Sequence, residues 1–220
     1  MFDEITNTWN PVIGCLHNCT YCWARRLAET KLSNIERYRD GFRPKLIDYE
    51  LRKKFKKKSV FVCDMADLFG DWVPPEWITK VIDAIKNSPS SHFLFLTKNP
   101  KRYQEFLSLY PENLVLGATI ETNREYQFSK APSTTERYKY MADLPYSKKL
   151  VSIEPIMDFN LEVFAQWIKD IGPVLVHVGY DNYNNCLPEP SLSKTKQLID
   201  KLNTCTRVKT LTLRESTCNH

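Results

Sequence analysis

No stretch of the 220 residues approaches the run of about eighteen apolar side chains that a membrane-spanning helix needs, and the opening Met1-Phe-Asp-Glu4 begins no apolar leader. The expectation is a cytoplasmic protein with no membrane partner. Internal repeats, low-complexity tracts and an interdomain linker are also missing, and 42% hydrophobic content is enough for one sizeable core, so a single domain over residues 1–220 is expected. A disulfide framework does not fit either. The seven cysteines are an odd number in a chain that is not small, and three of them crowd into a metal-binding spacing. Net charge of +5 hints only weakly at anionic partners, because steering depends on where charge clusters.

What is present is organised around Cys15-Leu-His-Asn-Cys19-Thr-Tyr-Cys22, three thiols spaced Cys-x3-Cys-x2-Cys. Thiolates are soft ligands that select zinc or iron–sulfur clusters. A closed zinc site wants four protein ligands, whereas a [4Fe–4S] cluster held by three cysteines leaves one iron open. Asn18 or Thr20 can cap a following helix through Trp23, Ala24, Leu27 and Ala28, which would put Cys22 in its first turn. The positive end of that helix would favour thiolates. His17, between the ligands, is the fourth candidate ligand of a zinc reading.

These residues carry a resemblance. Cys15, Cys19 and Cys22, with Tyr21 before the third cysteine, resemble the cluster loop of the radical S-adenosylmethionine (SAM) superfamily. The string Trp9-Asn-Pro-Val-Ile-Gly-Cys15, continued by Tyr21-Cys-Trp-Ala24, is similar to short radical-SAM-like proteins of phages and archaea. Asp64–Phe69, Leu96–Lys98, Ser152–Pro155 and Asp181–Asn184 also match, so the resemblance runs from about residue 6 onward. More distantly the chain resembles spore photoproduct lyase.

Apolar runs and helical spacing alternate along the rest of the chain. Strands are expected at residues 6–14, 60–63, 92–97, 114–120, 150–153, 174–178 and 208–213. Helical regions fall near 74–85, 101–110, 123–143, 161–171 and 193–203, besides the one after the cysteines. Continuous apolar strands separated by helices predict an α/β fold with a parallel sheet. A partial (β/α) barrel of six to seven parallel strands is the best fit, and a doubly wound open sheet is the alternative. The resemblance implies the same barrel.

Sites in such folds lie at the carboxyl ends of the strands. The polar residues there are the cysteine loop, Asp64, Met65 and Asp67, Thr97 and Lys98, Thr119 and Glu121, Glu154, Asp181 and Asn182, and Arg214 and Glu215. The resemblance implies that Cys15, Cys19 and Cys22 hold a [4Fe–4S] cluster that cleaves SAM with an electron from an external donor, yielding a 5′-deoxyadenosyl radical. It also implies roles for the other positions. Asp64 and Met65 stand where the family meets the SAM amino group, in place of a Gly-Gly-Glu-like segment. Tyr21 lies near adenine, Thr119 or Glu121 bonds the ribose hydroxyls, and Lys98 pairs with the SAM carboxylate or a substrate phosphate. Glu154 and Asp181 complete the cofactor-binding set.

Cys63, Cys186, Cys205 and Cys218 show no ligand spacing and read as buried or incidental thiols, and His177, alternating with valines, as an interior histidine. The run Arg52-Lys-Lys-Phe-Lys-Lys-Lys58 reads first as a solvated helix face and second as a phosphate contact. A nucleic acid or nucleoside is the preferred substrate. The rival readings are a zinc-bearing nucleic-acid-binding module and an inactive barrel kept for protein interaction.

Overall fold

Each apolar run becomes a strand, and the breaks between runs become helices. The computed structural model describes residues 5–217, and these pack as two compact units: residues 5–116 with 129–131, and residues 117–128 with 132–217. The first unit opens with β1 (Asn7–Trp9), the two-residue β2 (Val12–Ile13) and α1 (Trp23–Glu29). It continues through β3 (Lys45–Leu46), β4 (Ser59–Val62), α2 (Pro75–Lys86), β5 (His92–Thr97) and β6 (Leu114–Thr119), whose last three residues belong to the second unit. The second unit adds α3 (Thr134–Ala142), β7 (Lys149–Ile153), α4 (Leu161–Ile171), β8 (Leu175–Val178), α5 (Leu192–Asn203) and β9 (Arg207–Thr210).

Seven strands form one sheet in the order β1-β4-β5-β6-β7-β8-β9. They are parallel, which is the α/β partial-barrel class expected from the sequence. In the first unit Trp9 pairs with Val62 and Val62 with Phe95, and in the second Val151 pairs with Val176 and Val176 with Val208. The strands read as apolar runs because both faces of such a sheet are buried. All six residues of β6 and all five of β7 are buried, whereas the edge strand β9 is half-exposed and polar. The helices supply matching stripes, with Ile78, Val81, Ile82 and Ile85 buried on α2 and Phe164, Ala165, Ile168 and Ile171 on α4. α4 stops at Gly172, whose left-handed φ of 61° lets its N–H reach the carbonyls of Ile168 and Lys169.

Several expected elements differ. The helical region over 123–143 contracts to α3, because Pro132 precedes a capping box in which Ser133 and Glu136 bond each other's backbone N–H. Residues 100–109 wind as a 3-10 helix, and the last strand ends at Thr210. The basic run is not a helix face. Only Glu50–Arg52 form a 3-10 turn, and residues 53–58 are a loop leading into β4.

Candidate functional site

In the first unit the cysteine loop follows β2, which lies outside the seven-stranded sheet and pairs with β3, and Gly14 sets its path. Gly14 has φ 81°, and a Cβ there would lie 2.2 Å from the backbone carbonyl of Arg43, so only glycine fits. Its N–H donates to Met65 O at 2.9 Å, and Cys15 N donates to Phe42 O at 3.3 Å. The loop is therefore fastened to the segment after β4 and to residues 42–46, whose β3 pairs antiparallel with β2. Beneath it Ile13, Ala24, Ala28, Tyr38, Phe42, Ile47 and Met65 form an apolar cluster against which Cys15 and Cys22 pack.

Cys22 is the N-cap of α1, its Sγ accepting from Arg25 N at 3.3 Å, so neither Asn18 nor Thr20 has that role. A thiol next to the first free N–H groups outcompetes the residues expected there, while Asn18 takes a left-handed φ of 53°. Arg25 also crosses the loop, its guanidinium donating to Cys15 O at 3.1 Å and to Asn18 Oδ1. Cys15, Cys19 and Cys22 are cysteines of intermediate exposure. Burial pushes the Cys15 thiol well up, helped by negative charge on Asp67, Cys19 and Cys22, although a backbone N–H from His17 opposes the shift. Cys15 thus feels the charge of both Cys19 and Cys22. Among the described residues, no three His, Cys, Asp or Glu side chains gather as ready-made ligands of one metal ion. The donor set, three soft thiols from one loop over an apolar floor, suits an iron–sulfur group.

His17 is a buried anchor. Its Nε2 lies 2.8 Å from Asp67 Oδ2, and its ring packs edge-on against Trp72 with centroids 4.8 Å apart. Asp67 is buried after β4 and accepts from His17, from Thr97 Oγ1 at 2.6 Å, from Lys98 N at 2.8 Å and from Phe69 N at 3.0 Å. Burial alone would raise this carboxyl, but the hydrogen bonds and the His17 charge outweigh it and hold the group below its usual range. One carboxylate therefore joins the cysteine loop to the ends of β4 and β5.

The other candidates of this unit stand around that joint. Lys98 Nζ donates to Tyr21 OH at 3.1 Å and sits 5.3 Å from the Tyr21 ring centre, so these two residues are brought together. Asp64 accepts from Asn10 Nδ2 at 2.5 Å, and burial raises its carboxyl. Met65 is buried in the apolar floor, its N–H donating to Asn10 Oδ1 at 3.0 Å. Beside Trp72 lies a cavity of about 370 Å³ lined by Asp71, Trp72, Lys101, Arg102 and Glu105.

In the second unit the candidates also follow strand ends. Glu121 is buried against Arg137, whose guanidinium donates to Glu121 Oε2 at 2.7 Å and to the carbonyl of buried Thr119 at 3.0 Å. Glu154 follows β7 at a cis Glu154–Pro155 peptide; burial raises its carboxyl, and Asn182 Nδ2 lies 3.5 Å from its Oε1. Asp181 spends its carboxylate on its own loop, accepting from Tyr183 N, Asn185 N and Asn185 Nδ2 at 2.6 to 3.2 Å. Its carbonyl accepts from Arg214, which clamps Glu189 with two hydrogen bonds at 2.6 and 2.7 Å. Sequence reasoning missed Asn10, Arg137 and Glu189. An arginine inside a helix pattern carries no signal that it faces a buried carboxylate.

The remaining thiols divide. Cys63 is buried with a left-handed φ of 60°, Cys186 and Cys205 are exposed, and Cys218 lies outside the described residues. His177 is half-buried in β8, and burial with the Lys209 charge pushes it down to about 4.

Comparison with solved structures places the fold. A spore photoproduct lyase double mutant with bound AdoMet and dinucleoside spore photoproduct superimposes with a TM-score of 0.61 at 12% identity, covering 90% of this chain and 61% of that one. A single mutant of the same lyase gives 0.61 at 14% identity, covering 92% and 62%. The lyase complexed with dinucleoside spore photoproduct gives 0.57 at 12%, covering 88% and 60%. The chain thus shares the fold of spore photoproduct lyase and spans about three fifths of those proteins' length. No curated protein gives a significant sequence match. A family model matches residues 3–174, and the chain belongs to that family, described as "Protein of unknown function (DUF5131)".

Proposed function

We propose that the protein is a radical SAM enzyme whose Cys15, Cys19 and Cys22 hold a [4Fe–4S] cluster. The observation that carries this is the cysteine loop itself: three thiols spaced Cys-x3-Cys-x2-Cys, at the carboxyl end of parallel strands, in a fold like that of spore photoproduct lyase. When bound, the cluster would supply an electron, taken from an external donor, for reductive cleavage of SAM to a 5′-deoxyadenosyl radical.

The chain's own residues do the holding. The Arg25 N–H donates to Cys22 Sγ and so fixes that sulfur at the start of α1, while the Arg25 side chain fixes the loop across Cys15 and Asn18. The His17–Asp67 bond fixes the middle of the loop to Thr97 and Lys98. Lys98 offers a cation to the SAM carboxylate or to a substrate phosphate, and Tyr21 offers a ring face to adenine. Asp64 and Met65 follow β4, where the SAM amino group would be met, and Asp64 has its carboxylate oriented by Asn10. Thr119 and Glu121 serve the ribose hydroxyls in this reading, and Glu154 and Asp181 complete the cofactor-binding set. A nucleic acid or nucleoside is the proposed substrate, supported by the dinucleoside bound in the lyase structures.

Anaerobic reconstitution with iron and sulfide tests the proposal. The expected result is a reducible cluster whose EPR spectrum changes when SAM is added and which Cys19→Ala cannot assemble. Stoichiometric zinc with no response to SAM would sink it.

A further inference from the structure

We propose that residues 53–58 form a docking surface for the phosphate backbone of a nucleic acid, at the end of the sheet opposite the cysteine loop. The segment carries five lysines in six residues, Lys53-Lys-Phe-Lys-Lys-Lys58. It leads into the amino end of β4, whereas the cysteine loop and Asp67 stand beyond the carboxyl ends of the same strands. The four residues of β4 separate the two by roughly 13 Å of strand.

Four of the five cations are uncompensated among the described residues. Lys53 pairs with the buried Glu50 at 2.7 Å, which also faces Arg37 at 3.8 Å. Lys54, Lys56, Lys57 and Lys58 are exposed and, among the described residues, make no ion pair.

The loop is also rigidly held. Phe55 is half-buried against Trp9 and Phe93, with ring centres 5.5 and 5.7 Å away. Phe55 N donates to Ser88 Oγ at 2.9 Å and Lys58 N to Ser91 Oγ at 3.1 Å, while Asn113 Nδ2 holds the carbonyls of both serines. Lys57 takes a left-handed φ of 52°, where the loop bends. Like charges fixed so closely repel one another, and a polyanion relieves that repulsion with little further loss of chain freedom.

The one aromatic residue of the segment faces inward. A membrane-binding loop would instead present apolar side chains outward beside its lysines, so a nucleic acid is the favoured partner over an anionic bilayer. Lying away from the cysteine loop, this surface tethers the polymer and does not position the reacting atoms.

The test is fluorescence anisotropy with a labelled duplex, and with a single strand of the same sequence, across a salt series. SAM and reductant are absent, so the outcome is independent of cluster chemistry. Wild-type protein is expected to bind at least one of the two probes, with affinity falling steeply as salt rises. The variant Lys54→Gln, Lys56→Gln, Lys57→Gln should bind about tenfold or more weakly, with a log–log salt slope shallower by roughly three, about one per lysine. Its thermal midpoint should match or exceed that of the wild type, showing that the fold is intact. Equal affinity and slope for wild type and variant would overturn the proposal. So would failure of the wild type to bind either probe, or lysine-dependent binding to phosphatidylserine vesicles alone.

Discussion

Asp67 has no solvent to fall back on, so its four hydrogen-bond donors decide its charge and, through His17, the path of the cysteine loop. Replacing it by asparagine keeps the shape but sets an amide N–H₂ against donors. We expect Asp67→Asn to lose about 3 kcal/mol in urea unfolding of the apoprotein, the range for removing one partner of a buried charged pair. A loss below about 0.5 kcal/mol, the size of an ordinary surface change, would show the network to be dispensable. His177 opposes the folded state when it is charged. Its folded-state pKa is pushed down to about 4 from 6.5. Between those values the unfolded chain takes up a proton that the folded one refuses. Stability should therefore fall as pH drops from 6.5 to 4, by up to about 1.4 kcal/mol per pH unit from this residue. His177→Gln should remove that slope; an unchanged slope would assign it elsewhere.

At the scale of elements, α1 shows how a ligand doubles as structure. Cys22 closes the helix through its Sγ, so its loss has two consequences that can be separated. Cys22→Ser keeps an acceptor at the cap and should leave apoprotein stability unchanged or slightly higher, whereas Cys22→Ala should cost about 1 kcal/mol. Both should abolish cluster assembly. An alanine variant that assembled the cluster would remove Cys22 from the ligand set. The strands and most helices were legible because parallel strands buried on both faces must be largely apolar, as in Phe93–Leu96 and Leu114–Ala118. The cap was not legible, since thiols seldom fill that position and Asn18 and Thr20 are better cappers by type. The basic run misread as a helix face shows a related limit. Phe55 looked like one apolar residue among lysines, and its docking on Trp9 and Phe93 is a tertiary fact. The loop cysteines were legible from spacing alone. His17 reads from the sequence as a loop residue or a zinc ligand, because its partner Asp67 lies 50 residues away.

For the molecule as a whole, the proposed chemistry and the proposed tether occupy opposite ends of the same strands in the first unit. That arrangement separates holding a polymer from reacting with it. The central claim is that this loop supports reductive cleavage of SAM, and the most direct measurement is 5′-deoxyadenosine formed by the anaerobically reconstituted, dithionite-reduced protein. We predict formation of the nucleoside and methionine in equal amounts, abolished in Cys19→Ala. A protein that carries a reducible cluster yet leaves SAM intact would contradict the account.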